Sequence, residues 1–115
     1  AITLAAVNAR VNGLPHCEFV QTSWCRGLKP MDLIVANPPF IMDGQNRSYR
    51  DGGRSFGSEL SLTIVRSAAD CLERGGILAL YTGSCIVGGV DMFKQALAEV
   101  LREVTTLRCS SYEEL

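Results

Sequence analysis

Apolar positions change period several times along the chain, and each change marks an element. Ile2, Leu4, Ala5, Val7 and Val11 recur at loose helical spacing, and Asn12-Gly13 closes that helix over residues 1–12 with a pair suited to a left-handed cap. Residues 17–21 alternate weakly and predict a short strand. Leu33, Ile34, Val35 and Ala36 form an unbroken apolar run, the pattern of a strand buried on both faces. Residues 41–57 are polar and punctuated by glycine, a long loop. Leu60, Ile64, Val65, Ala68 and Leu72 then share one helical face over 58–74, with Ser58 as cap and Gly75-Gly76 as stop. Residues 77–81 read as a second buried strand and 82–89 as a loop. Residues 91–104 read as a helix with Phe93, Leu97, Val100, Leu101 and Val104 in register, 105–110 as a last strand, and 112–115 as a tail. The order α-β-β-α-β-α-β predicts an α/β domain with a mostly parallel sheet.

The sharpest chemistry sits where the buried strand stops. Pro38 and Pro39 have no N–H to donate and hold the residue before each of them extended, so the chain leaves the sheet as a stiff rod. Asn37 offers a side-chain oxygen there, and the Pro38 carbonyl is claimed by no ladder. Two fixed acceptors can grip both hydrogens of a planar –NH2 group while the Phe40 ring stacks on its face. Such a nitrogen is a poor nucleophile because its lone pair is delocalised. Orienting it, and drawing its protons toward acceptors, attacks that difficulty. A strand end followed by a proline-rich turn fits the same letters, and both readings stand on the residues alone.

Asn37-Pro38-Pro39-Phe40 after an apolar strand resembles the Asn-Pro-Pro-aromatic signature of class I S-adenosylmethionine-dependent N-methyltransferases, the HemK-type glutamine enzymes and small-domain methyltransferases among them. The resemblance implies that Asn37 and Pro38 act in catalysis on the target nitrogen and that Pro39 and Phe40 bind the acceptor. It implies a Rossmann-like fold and S-adenosylmethionine as cofactor, with Ser23, Trp24 and Asn37 near it. Ser23 stands where an acidic residue is expected in that family, and a Trp24 that merely covers a loop fits equally well. Asp51-Gly52-Gly53 and Gly57 resemble the segment after the motif in glutamine methyltransferases, where residues 41–57 would form a substrate lid. Arg47, Arg50 and Arg54 would instead suit phosphates, with Asp43 and Asp51 offsetting two of them.

Other features bound this picture. No glycine-rich loop follows a strand in the first half, and no acidic residue ends an upstream strand to hold a ribose. Residues 1–115 therefore resemble the C-terminal portion of a single catalytic domain, without its first two strands. In that family those strands lie between the counterparts of 17–21 and 32–36. Their absence opens a gap of about 10–15 Å at the usual strand spacing, and unpaired edges favour a homo-oligomer. The formal net charge of −1 gives no broad basic footprint for nucleic acid. No segment reaches the roughly 20 apolar residues of a membrane span. Cysteines 17, 25, 71, 85 and 109, with His16 as the one histidine, make neither a disulfide framework nor a zinc site and fit a cytoplasmic protein. The acceptor expected is a protein glutamine amide, with an exocyclic amine of an RNA or DNA base as the alternative. A folded module without activity is the competing expectation.

Overall fold

The computed structural model describes residues 1–25, 27–28, 30–41 and 52–113. In chain order they form α1 (Ile2–Val11), β1 (Met31–Ala36), α2 (Arg54–Gly57), α3 (Glu59–Cys71), β2 (Leu72–Leu80), β3 (Ile86–Val87), β4 (Val90–Asp91) and α4 (Met92–Glu103). The class is α/β. β1 and β2 pair in parallel, Leu33 opposite Ile77 and Ala36 opposite Leu80, with α2 and α3 in the crossover that a parallel pair requires.

Paired residues share a face. Leu78 and Leu80, with Ile34 and Ala36 beside them in register, lie on the helix side, where Leu62, Val65, Phe93 and Val100 form the buried core. Leu97, Leu101, Val104, Leu107 and Tyr112 pack around that core. The opposite face is bare: Leu33 is 56%, Val35 73% and Ile77 61% exposed. In α1, Leu4, Val7 and Val11 are exposed as well, Ile2, Ala5 and Ala6 are half-buried, and Ala9 is the buried residue of that helix. The radius of gyration is 15.7 Å, above the roughly 13 Å of a compact 100-residue domain.

Several expectations hold. α1 ends as Asn12-Gly13 predicts: Gly13 has φ +68°, its N–H donates to Arg10, and the Leu14 N–H donates to Ala9 at 2.8 Å. That is the paired bonding of a Schellman cap. β1 falls on the apolar run, but it is covered on one face and not on both as expected, Leu33 and Val35 being exposed; α4 keeps its predicted face.

Others are corrected. Residues 17–21 and 105–110 form no strand. Each lacks a neighbouring strand to claim its backbone groups, and Leu107 turns back instead, its N–H donating to the Val104 carbonyl at 3.3 Å. α3 stops at Cys71, short of Gly75-Gly76, because Leu72 is already paired with Met31 in the sheet. The glycines fall in a bulge between that pair and Leu33–Ile77. Ser58 precedes α3 without a side-chain cap bond. The buried face of α3 is Ser61, Leu62, Val65, Ala68 and Cys71, rotated from the predicted one. Residues 82–89 are not wholly loop: Gly88 and Gly89, both with positive φ, close the β3–β4 hairpin. Asp43, Arg47, Arg50, Asp51 and the greater part of the expected lid lie outside the described residues.

Asp91 ties three pieces together. Its carboxylate accepts from the Lys94 N–H at 2.8 Å as the N-cap of α4, from the Tyr112 hydroxyl at 2.6 Å, and from Ser84. Burial raises its pKa, but those three donors outweigh burial and hold it below the usual carboxylate range. A depressed folded-state pKa adds stability that is present above the unfolded value, about 3.9, and is lost as pH falls through the folded one. Asp91→Ala is expected to cost about 1–3 kcal/mol at neutral pH, a lost cap plus stranded hydroxyls. Urea unfolding of both proteins should show that difference shrinking as pH falls below about 4. A difference unchanged down to strong acid would mean the carboxylate charge is not what binds these groups.

Candidate functional site

The last rung joining β1 to the chain after β2 is the Tyr81 N–H donating to the Ala36 carbonyl at 2.9 Å. Beyond it the two prolines cannot donate, and the ladder stops. Asn37 is exposed, Pro38 buried, and Pro39 and Phe40 half-buried. Among the described residues the Asn37 side chain has no hydrogen-bond partner, and no backbone N–H donates to the Pro38 carbonyl. An acceptor-bearing side chain thus stands open at the carboxyl end of a parallel strand, the end at which α/β sheets place their sites.

Phe40, three residues on, is closely confined. The Gly52 N–H donates to the Ile41 carbonyl at 2.8 Å, and the Leu60 N–H donates to the Gly52 carbonyl at 3.2 Å. These bonds bring Gly52 and the end of α2 against Phe40. A Cβ on Gly52 would run into the Gly57 carbonyl and come within 2.8 Å of the Phe40 Cα. One on Gly57, whose φ is +82°, would meet the Phe40 carbonyl. On the ring side, Tyr81 stands edge-on with centroids 6.0 Å apart. A Cβ on Gly83 would lie 2.5 Å from Cδ2 of the Phe40 ring. The segment bearing Gly83 is fastened to α3 by the Ser61 and Thr82 hydroxyls, 2.7 Å apart, with Ser61 fully buried.

Tyr81, Gly83, Ser61 and Thr82 are the neighbours that the letters did not disclose. The signal available was a glycine two residues after a strand, and its meaning depended on knowing that β2 lies beside β1.

Ser23 and Trp24 are placed elsewhere. Trp24 lines a cleft with Cys25, Gly27, Leu28, Arg66, Asp70 and Cys71, beside the second half of α3. That is where the chain enters β2, whereas Asn37 stands where β1 ends. Burial above all, then the neighbouring Cys25, pushes the Cys71 thiol up to about 11, so it stays protonated and unreactive. Of the residues expected near S-adenosylmethionine, only Asn37 adjoins Phe40. The cleft that Trp24 lines does not include Asn37. Among the described residues no group of acidic, cysteine and histidine side chains could hold a metal ion, and no helix is long and apolar enough to cross a membrane.

No family model matches the chain, and no solved structure matches it. Curated proteins do. Over 97 residues it is 30% identical to the release factor glutamine methyltransferase of Aliivibrio fischeri, covering 72% of this chain and 34% of that protein. Over 119 residues it is 29% identical to the protein of the same name from Coxiella burnetii, covering 94% of this chain and 42% of that one. The chain spans 34–42% of the length of these relatives, and it is to release factor glutamine methyltransferases that it is similar.

Proposed function

We propose that the chain is the acceptor-binding portion of an S-adenosylmethionine-dependent N-methyltransferase whose acceptor is the side-chain amide of a protein glutamine. The observation that carries this reading is the open Asn37 side chain at the end of β1, with Phe40 fixed beside it, in a chain similar to glutamine methyltransferases. The resemblance of the tetrapeptide to the Asn-Pro-Pro-aromatic signature supports it. In this reading the catalytic domain is a single one, works in the cytoplasm, and includes residues 1–115 as its acceptor side.

The donor, when bound, supplies an electrophilic methyl group. The residues of this chain act on the acceptor. The Asn37 side-chain oxygen and the Pro38 carbonyl accept from the two amide hydrogens and fix the plane of the nitrogen. As the nitrogen's lone pair forms the bond to the methyl carbon, that carbon would part from the donor sulfur, which leaves as a neutral thioether. The nitrogen gains positive character, both acceptors hold its hydrogens more strongly than in the ground state, and one of those hydrogens is then lost to solvent as a proton. Phe40 covers the amide face and keeps water from it.

The test is to offer isotopically labelled S-adenosylmethionine with a glutamine-bearing protein segment, or with RNA and DNA oligonucleotides, to the protein as expressed in its source. Label on the glutamine is the expected result. Label confined to a nucleobase amine would overturn the choice of acceptor. Phe40→Tyr should retain activity because the ring is kept. Phe40→Ala should weaken acceptor binding by about 1–3 kcal/mol, as loss of a stacking ring does elsewhere. Calorimetry of acceptor binding would check both.

A further inference from the structure

We infer that Gly83 is a positioning residue: its lack of a side chain sets where the Phe40 ring stands, and through that ring how the acceptor is held. This rests on the proposed function for the acceptor, and on geometry for the placement. A Cβ at position 83 would lie 2.5 Å from Cδ2, 3.1 Å from Cε2 and 3.3 Å from Cγ of the Phe40 ring. Gly83 is not among the glycines with positive φ, so its backbone is one that alanine adopts without strain. The objection to a side chain there comes from the ring.

Neither partner yields easily. Gly83 follows Thr82, whose hydroxyl is paired at 2.7 Å with the fully buried Ser61 of α3. Phe40 has its main chain pressed by Gly52 and Gly57 and its ring met edge-on by Tyr81. A methyl group on residue 83 must therefore turn the ring about its own side-chain bonds, away from the position given by β1. A ring so turned no longer presents the same face to a planar amide beside Asn37. In functional terms the end of β2 adjusts the platform carried by the end of β1.

The experiment is a double-mutant cycle on the natural-length protein, with methyl transfer to a glutamine-bearing protein segment as readout. Gly83→Ala alone should raise the acceptor KM about tenfold and change kcat less than threefold. In a Phe40→Ala background the same change should alter KM less than twofold, because no ring remains to be displaced. Equal effects of Gly83→Ala in both backgrounds would overturn the inference, since the glycine would then serve the loop itself. If Gly83→Ala fails to fold, Tyr81→Leu replaces it: coupling to Phe40 of similar size supports a ring held by its β2-side neighbours, and additive effects overturn it. The contact is checked separately by the ring-current shift of the Gly83 α-protons, which Phe40→Ala should abolish. An unchanged shift overturns the placement. Wild-type protein that shows the shift yet methylates no glutamine overturns the proposed function, and with it this role of Gly83, while the contact stands.

Discussion

Asn37→Ala is expected to lower kcat about 100-fold or more, the loss seen when one preorganised polar group that acts in the transition state is removed. The side chain is exposed and has no hydrogen-bond partner among the described residues, so its oxygen is free for a ligand. Its value grows as the amide nitrogen gives up lone-pair density and its hydrogens become more acidic. The loss should therefore fall on kcat more than on acceptor KM. Stability should move by less than about 0.5 kcal/mol, as for exposed residues away from any special feature. An Asn37→Ala protein with normal turnover would leave the tetrapeptide as a strand end and a turn.

The largest stability loss is expected for Phe93→Ala, about 3–5 kcal/mol by the usual cost of truncating a buried aromatic residue. Phe93 is 4% exposed and packs with Leu62, Val65 and Val100 where α3, α4 and the sheet meet. Alanine keeps the backbone bond from residue 93 to the Ser84 hydroxyl, 3.0 Å in the native chain, so packing is what is lost. With one face of the sheet bare and α1 contributing Ala9 alone among its buried residues, little core remains to absorb the cavity. Against a typical stability of about 5–15 kcal/mol the variant should unfold at a much lower urea concentration. A midpoint shifted by only a few tenths of a molar would place the core elsewhere.

What could be read from the letters follows from the range of the forces involved. β1 was legible because its apolar run and the prolines after it act locally. α4 was legible because its burial repeats at helical period and Asp91 caps it. Residues 17–21 and 105–110 misled because a strand exists only with a partner, and alternation does not say whether one is present. Ser61 carries no core signal in the sequence because it is polar, yet it is buried, its hydroxyl meeting that of Thr82, 21 positions away. The hairpin had a local signal in Gly88-Gly89, muted by strands of two residues each. Asn37 and Phe40 announced themselves through one tetrapeptide. Gly52 and Gly57 stood out by resemblance alone and Gly83 not at all, because their meaning lies in the approach of chain segments that the sequence keeps apart.

The central claim is that a carbon–nitrogen bond forms on an amide held at Asn37, and one measurement addresses it directly. A protein acceptor with 15N in its glutamine side chain is incubated with S-adenosylmethionine carrying a 13C methyl group and the natural-length protein, and the product is examined by heteronuclear NMR. A methyl carbon coupled to the glutamine side-chain nitrogen, formed by the wild type and at least about 100-fold more slowly by Asn37→Ala, is the predicted result. A methyl group on any other atom, or equal rates for the two proteins, would contradict the account.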